Sequence, residues 1–190
     1  MKLNRRGKAS IFTDSEWQRL LKATRSESQR LIWEIAYWTG ERMGAIRQLR
    51  VESVYRDPIA RIPHEYIFYA KETRKGQIDD RQVPIHPSLA RALKAYSPPV
   101  AGYLFPGRDA MDCLDHRTID SNLRSTLVRA GLDKRGFTTH SFRRTFLTRL
   151  ANNAISPWVL QKISGHRDRS SLDEYIEVTD KQVLAAVNTL

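Results

Sequence analysis

Apolar positions recur at helical spacing towards both ends of the chain and give way to strand-like segments in the middle. Thr13-Asp14-Ser15-Glu16 has the form of a capping box, a hydroxyl at the N-cap and a glutamate three residues on. Trp17, Leu20 and Leu21 follow at helical spacing and predict a first helix. A second is predicted over residues 26–39, with Leu31, Ile32, Ile35, Ala36 and Trp38 as its core candidates and Gly40 suited to end it. A short helix over 42–49 would place Met43, Ile46 and Leu49 on one face. Segments near 53–61, 65–71 and 80–86 then carry β-branched and aromatic residues between turn formers, Tyr66-Ile67-Phe68-Tyr69 being the clearest strand. Glu72-Thr73-Arg74-Lys75-Gly76-Gln77 reads as a hairpin loop, so a small three-stranded antiparallel sheet is expected. From His86-Pro87 onward the pattern predicts helices over 87–96, 116–130, 140–153 and 157–164. The last has Ser156 as N-cap and Pro157 at the first helical position. The expected fold class is α+β, mostly helical.

Length and composition narrow this picture. At 190 residues the chain suits one ordinary domain, and Pro98-Pro99 marks a break, but the segment that follows is too short to be a separate domain. The division expected is a basic N-terminal arm over 1–10 and one domain over 11–190. Hydrophobic residues at 41% and charged residues at 28% exclude a disordered or fibrous chain. An excess of 32 basic over 21 acidic side chains, +11 in all, favours a polyanionic partner, either nucleic acid or an acidic membrane surface. No apolar run approaches the roughly 20 residues that a membrane span needs, and no secretory segment follows Met1–Lys8. Cys113 stands alone, which excludes an intramolecular disulfide and a cysteine zinc cage and suits a reducing, cytoplasmic setting.

The chemistry concentrates in the last third. Thr139-His140-Ser141-Phe142-Arg143-Arg144 opens a predicted helix, so His140 and Arg143 share a face. Gly165-His166 follows the next helix, Tyr175 comes nine residues later, and far upstream Thr39-Gly40-Glu41-Arg42 sets an arginine straight after a helix break. Two arginines, two histidines and a tyrosine are what metal-free attack on a phosphodiester requires. Cleavage builds charge on the non-bridging oxygens, which paired guanidiniums can hold with fork-like hydrogen bonds. A tyrosine can attack through oxygen but is weak while protonated, its reference pKa being about 10. An imidazole can accept that proton or orient the phosphate, and a lysine on a hairpin could protonate the leaving 5′-oxygen. No metal ligand set and no cofactor is implied, because no carboxylate or cysteine shares the spacing of the histidines. Singly, each motif is ordinary: His-x-x-Arg is common, and an isolated Tyr175 would be a packing residue.

Thr-Gly-x-Arg, His-x-x-Arg, Gly-His and Tyr, in this order, resemble the tyrosine recombinase (phage integrase) family. The resemblance covers residues 12–180, the family's catalytic domain. It implies a DNA strand transferase that cuts and rejoins through a 3′-phosphotyrosyl link to Tyr175. Arg42 and Arg143 would clamp the scissile phosphate, His140 would assist proton transfer, and His166 would donate to a phosphate oxygen. The family's hairpin lysine falls on Lys71, with Lys75 as runner-up. Double-stranded DNA is the implied partner, bound by a homotetramer on paired sites, with accessory DNA-bending proteins as further partners. A type IB topoisomerase-like enzyme would share the chemistry, and a DNA-binding regulator with residual catalytic residues is the rival from another class.

Two departures from the family pattern stand out. The acidic residue usual three positions after the first arginine is Ala45 here, so support for Arg42 is missing or supplied from elsewhere. The helical core-binding domain that precedes this one in larger recombinases is not expected in the chain. The acids Asp173, Glu174 and Glu177 flank Tyr175, but on a helix its face neighbours are Ser171, Leu172, Val178 and Thr179. Arg144, Arg149 and Lys75 are candidate DNA contacts, the first two either to backbone phosphates or within the fold. Phosphate contacts of this kind position without specifying sequence. The apolar stripe Gln182–Val187 would either dock on a neighbouring protomer or cover its own core.

Overall fold

Thr13 accepts a hydrogen bond from the Glu16 amide while Glu16 reaches back to the Thr13 amide, and this predicted capping box starts α1 (Asp14–Ala23). The computed structural model describes residues 9–73, 79–109, 111–153 and 155–165, together with 172, 184, 187 and 188. The Glu16 carboxyl is half of a second contact, accepting from Arg135 Nε at 2.7 Å across the fold. Burial by itself would raise its pKa, but the Thr13 and Arg135 hydrogen bonds outweigh that and hold it below the usual value.

Among the described residues six further helices follow: α2 (Glu27–Thr39), α3 (Met43–Ile46), α4 (Pro87–Ala95), α5 (His116–Arg129), α6 (Thr139–Asn152) and α7 (Pro157–Ser164). Ser26 caps α2, and Gly40 ends it in the left-handed conformation at φ +61°. Ser156 caps α7 with Pro157 in its first turn, as the sequence predicted. Single 3₁₀ turns at Val51–Ser53, Lys71–Thr73 and Asp133–Arg135 were not anticipated.

The core fills the space between α1, α2, α4, α5 and α6 and is strongly aromatic. Trp33 of α2 stacks on Phe142 of α6, Phe12 stacks on Phe137, and Trp17 stacks on Tyr37. Burying such large rings is the main stabilising term of this domain. A satellite cluster of Leu147, Leu160 and Leu172, with Phe146 and Leu150 against it, seats α7 on α6.

The strands correct one expectation. Instead of one three-stranded sheet, the described residues form two antiparallel pairs, β1 (Tyr55–Asp57) with β2 (Ile62–Pro63) and β3 (Tyr66–Tyr69) with β4 (Arg81–Pro84). The His64 amide still donates to Val54 of the first pair, while the next carbonyl, Glu65, accepts from Ile85 of the second. Residues 62–69 therefore change partners midway. Pro63 and Pro84 have no N–H and so donate nothing to either ladder.

Glu34 of α2 is 7% exposed, and burial raises its carboxyl pKa against the opposing pull of Arg30, whose Nε lies 3.2 Å away. A folded-state pKa above the unfolded value means the native state binds the extra proton. The associated stability is present below the unfolded value and is lost as pH rises through the folded one. Glu34→Gln is therefore expected to melt above wild type at pH 7–8, the gap closing towards pH 4. Arg30 is half exposed and loses little. Thermal melts of the two proteins across that range are the check, and a gap that widens on acidification would contradict it.

Candidate active site

The site begins where α2 stops. Thr39 Oγ1 donates to Ile35 O at 2.7 Å, Gly40 turns the chain, and Arg42 leaves in extended backbone as the N-cap of α3. Arg42 Nη1 is buried and has no hydrogen-bond partner among the described residues. A buried guanidinium nitrogen without an acceptor is costly, which marks a position where an anion would be stabilised.

Arg143 comes from α6, whose N-terminus is fixed by Thr138. The Thr138 hydroxyl accepts from the His140 amide, and Ser141 Oγ accepts from the Thr138 amide. That places His140 exposed on the first turn and Arg143, three residues on, buried at 6%. Arg143 Nη1 donates to Gly40 O at 2.8 Å and Nη2 to Ser164 O at 2.9 Å. One planar guanidinium thus ties the loop carrying Arg42 to the last residue of α7, just before Gly165-His166. Two motifs separate in sequence, and the residue that precedes Gly165, meet here.

The hairpin reaches the same place. Tyr69 of β3 and Arg81 of β4 are directly opposed in register, so their side chains share the inward face. Tyr69 Oη lies 3.5 Å from Thr39 Oγ1, and Arg81 Nη1 hydrogen-bonds Glu41 Oε2 and, at 3.3 Å, Ser164 O. Glu41 Oε1 accepts from the Arg42 amide at 2.8 Å. Glu41 and Arg81 are 2% and 8% exposed. Removing one member of such a buried pair typically costs about 3–5 kcal/mol, because the other charge is left uncompensated. Neither residue was picked out by the sequence motifs. The available signal was the alternation of β4, since Val83 facing inward puts Arg81 inward too, and an inward arginine requires an acid.

Lys71 lies two residues beyond Tyr69, with an exposed side chain and an amide that donates to Asp80 Oδ1 at 2.9 Å. Lys75, His166 and Tyr175 lie outside the described residues. Arg144 and Arg149 are engaged within the fold. Arg144 Nη1 donates to Ala9 O at 2.6 Å, while Arg149 hydrogen-bonds the Tyr37 hydroxyl, lies 3.4 Å from Asp14 Oδ1 and covers the Tyr37 and Trp38 rings. Among the described residues no group of three or more His, Cys, Asp or Glu is placed to hold a metal ion. A groove of about 550 Å³ between α1, α2 and α4 includes Trp17, Glu34 and Trp38 in its lining but none of the predicted catalytic residues. No helix among the described residues is long and apolar enough to cross a membrane.

A mostly helical domain whose described residues hold two small antiparallel sheets, converging on the half-buried Arg42 just beyond α2 and the buried Arg143 of α6, is the class of molecule these features define. The chain belongs to the phage integrase family, whose model matches residues 10–182. A tyrosine recombinase of Pseudothermotoga lettingae is 28% identical over 193 residues, 98% of this chain and 62% of the relative. The chain spans between 45% and 62% of the length of the first three curated relatives it matches. The catalytic domain of bacteriophage HP1 integrase shares the fold at 19% identity and TM-score 0.66, with 95% of each chain covered. XerH site-specific recombinase, solved in a pre-cleavage complex with its difH substrate, shares it at 17% identity and TM-score 0.71, covering 97% of this chain and 55% of that one.

Proposed function

We propose that this domain cleaves and rejoins DNA strands by attack of Tyr175 on a phosphodiester, in the service of site-specific recombination. The observation that carries this reading is the buried Nη1 of Arg42, without a partner among the described residues, beside a loop that Arg143 cross-links to the end of α7. Guanidiniums fixed in advance stabilise the charge that develops on the non-bridging oxygens without reorganising during the reaction. His140, exposed on the same helix turn as Arg143, serves the proton of the nucleophile, and His166 donates to the phosphate. Lys71, with Lys75 as the second candidate, protonates the 5′-oxygen. In balance, the tyrosine oxygen–phosphorus bond forms as the phosphorus–5′-oxygen bond breaks. The reverse step, with a partner strand's 5′-hydroxyl, restores the diester without ATP.

Assembly as a tetramer on paired DNA sites follows from the same reading. The family membership and the XerH complex with its substrate support a DNA partner. The test is incubation with a nicked duplex whose short 5′-hydroxyl fragment diffuses away after cleavage. A denaturation-resistant protein–DNA adduct is expected, and peptide mapping should locate the DNA on Tyr175. Attachment to another residue would overturn the nucleophile assignment. DNA retention without any adduct would replace an enzyme with a DNA-binding regulator.

A further inference from the structure

We propose that Glu41 and Arg81 form a strut that sets the pose of Arg42, doing from the preceding position what no carboxylate does from position 45. The inference rests on the reading of the site as a DNA-cleaving centre. Ala45, the first turn beyond Arg42, is 2% exposed within the apolar core and offers nothing polar. The acid lies on the other side. Both oxygens of Glu41 are committed, Oε1 to the Arg42 amide and Oε2 to Arg81.

The backbone of Arg42 is thereby held through a carboxylate that is itself fixed by a strand. Arg81 cannot drift, because it is paired in β4 opposite Tyr69, and Tyr69 approaches Thr39, two residues before Glu41. Neighbouring positions of one hairpin thus grip the Thr39–Arg42 loop at both of its ends. Arg81 also shares the Ser164 carbonyl with Arg143. The strut therefore joins the arginine loop, the end of α7 and the hairpin from which Lys71 emerges, where Asp80, the residue before Arg81, accepts from the Lys71 amide and ties the two sides together. A carboxylate whose only task was to neutralise a buried arginine would have no need to bond the amide of the next arginine as well.

Glu41 and Arg81 are positioning residues in this proposal, acting through Arg42, and a double-mutant cycle separates that from a general structural role. With a nicked duplex at saturating concentration, Glu41→Gln should slow single-turnover adduct formation by about tenfold to a hundredfold, the span expected for coupled contacting residues. DNA affinity should move by less than about threefold, since no phosphate contact is assigned to either residue. Adding Arg42→Ala to Glu41→Gln should then lose about tenfold to a hundredfold less than the product of the two single losses, because the strut acts through a side chain already removed. Multiplicative losses, or a Glu41→Gln rate equal to wild type, would overturn the proposal. Should Glu41→Gln fail to fold, Glu41→Met with Arg81→Met replaces the pair by apolar side chains, and the same non-multiplicative result with Arg42→Ala is required of it. If wild type itself forms no adduct, the reading of the site falls before the strut is tested.

Discussion

Arg143→Ala is expected to lower single-turnover adduct formation at saturating DNA by more than about a thousandfold, the upper end of what loss of one fixed charge-stabilising donor costs. The reason for exceeding the usual range is that this guanidinium has two tasks. It is one of the two proposed phosphate clamps, and it is also the bridge from Gly40 O to Ser164 O. Its removal deprives the Gly40 carbonyl of this donor and leaves the Arg42 loop tied to the end of α7 through Glu41, Arg81 and the 3.3 Å contact of Arg81 with Ser164 O. Arg143→Lys separates the tasks. An ammonium retains the charge but cannot present two parallel donors, so it can satisfy one carbonyl or the phosphate, not the whole fork. The lysine variant should fall between the two, down about tenfold to a hundredfold, with a melting point near that of wild type. Rates from adduct formation and melts by circular dichroism check both variants. A lysine variant as fast as wild type would mean that charge alone is needed and that the bridge is incidental.

What the sequence disclosed and what it withheld follow from the range of the interactions involved. The capping box at Thr13 and Glu16, the glycine stop at Gly40 and the Ser156-Pro157 start are local devices, and each sits where the chain alone indicated. Arg42 and Arg143 were legible because their motifs are short and each is written within one helix turn or one helix end. The way Arg143 ties the Arg42 loop to the end of α7 was not, since it runs through Gly40 O and Ser164 O, carbonyls with no identity in the sequence. Glu41 and Arg81 were missed for a related reason. Forty residues separate them, and what joins them is the register that sets Arg81 against Tyr69. The single three-stranded sheet failed because periodicity finds strands but not their partners, and residues 62–69 divide theirs between two ladders. For Arg144 and Arg149 the sequence left two roles open, contacts to backbone phosphates or contacts within the fold. The groups that engage them, Ala9 O, the Tyr37 hydroxyl and Asp14, come from distant parts of the chain.

Gly40→Ala should destabilise the domain by about 2–5 kcal/mol and disarm the site in the molecules that still fold. Two separate costs add. Gly40 has φ +61°, where a side chain costs roughly 1–2 kcal/mol. A methyl group there would also lie 2.3 Å from Phe146 Cδ1 and 2.8 Å from Cγ, so the ring must move. Phe146 cannot move freely, because it packs on the Leu147, Leu160 and Leu172 cluster that seats α7. Overpacking of this kind typically costs about 1–3 kcal/mol. For a chain of this length each kcal/mol lowers the melting point by about 2–4 °C, so a fall of roughly 4–20 °C is expected. The same displacement carries Gly40 O away from Arg143 Nη1 and shifts α7 relative to α6, the two ends of the bridge. Activity per folded molecule should therefore fall as well, which a loss of stability alone would not produce. Gly40→Ala combined with Phe146→Ala tells the two costs apart. Removing the ring relieves the clash and leaves the backbone strain, so Gly40→Ala should cost less in the Phe146→Ala background than in wild type, by the overpacking share. If it costs the same in both backgrounds, contact with Phe146 is not what requires glycine at position 40.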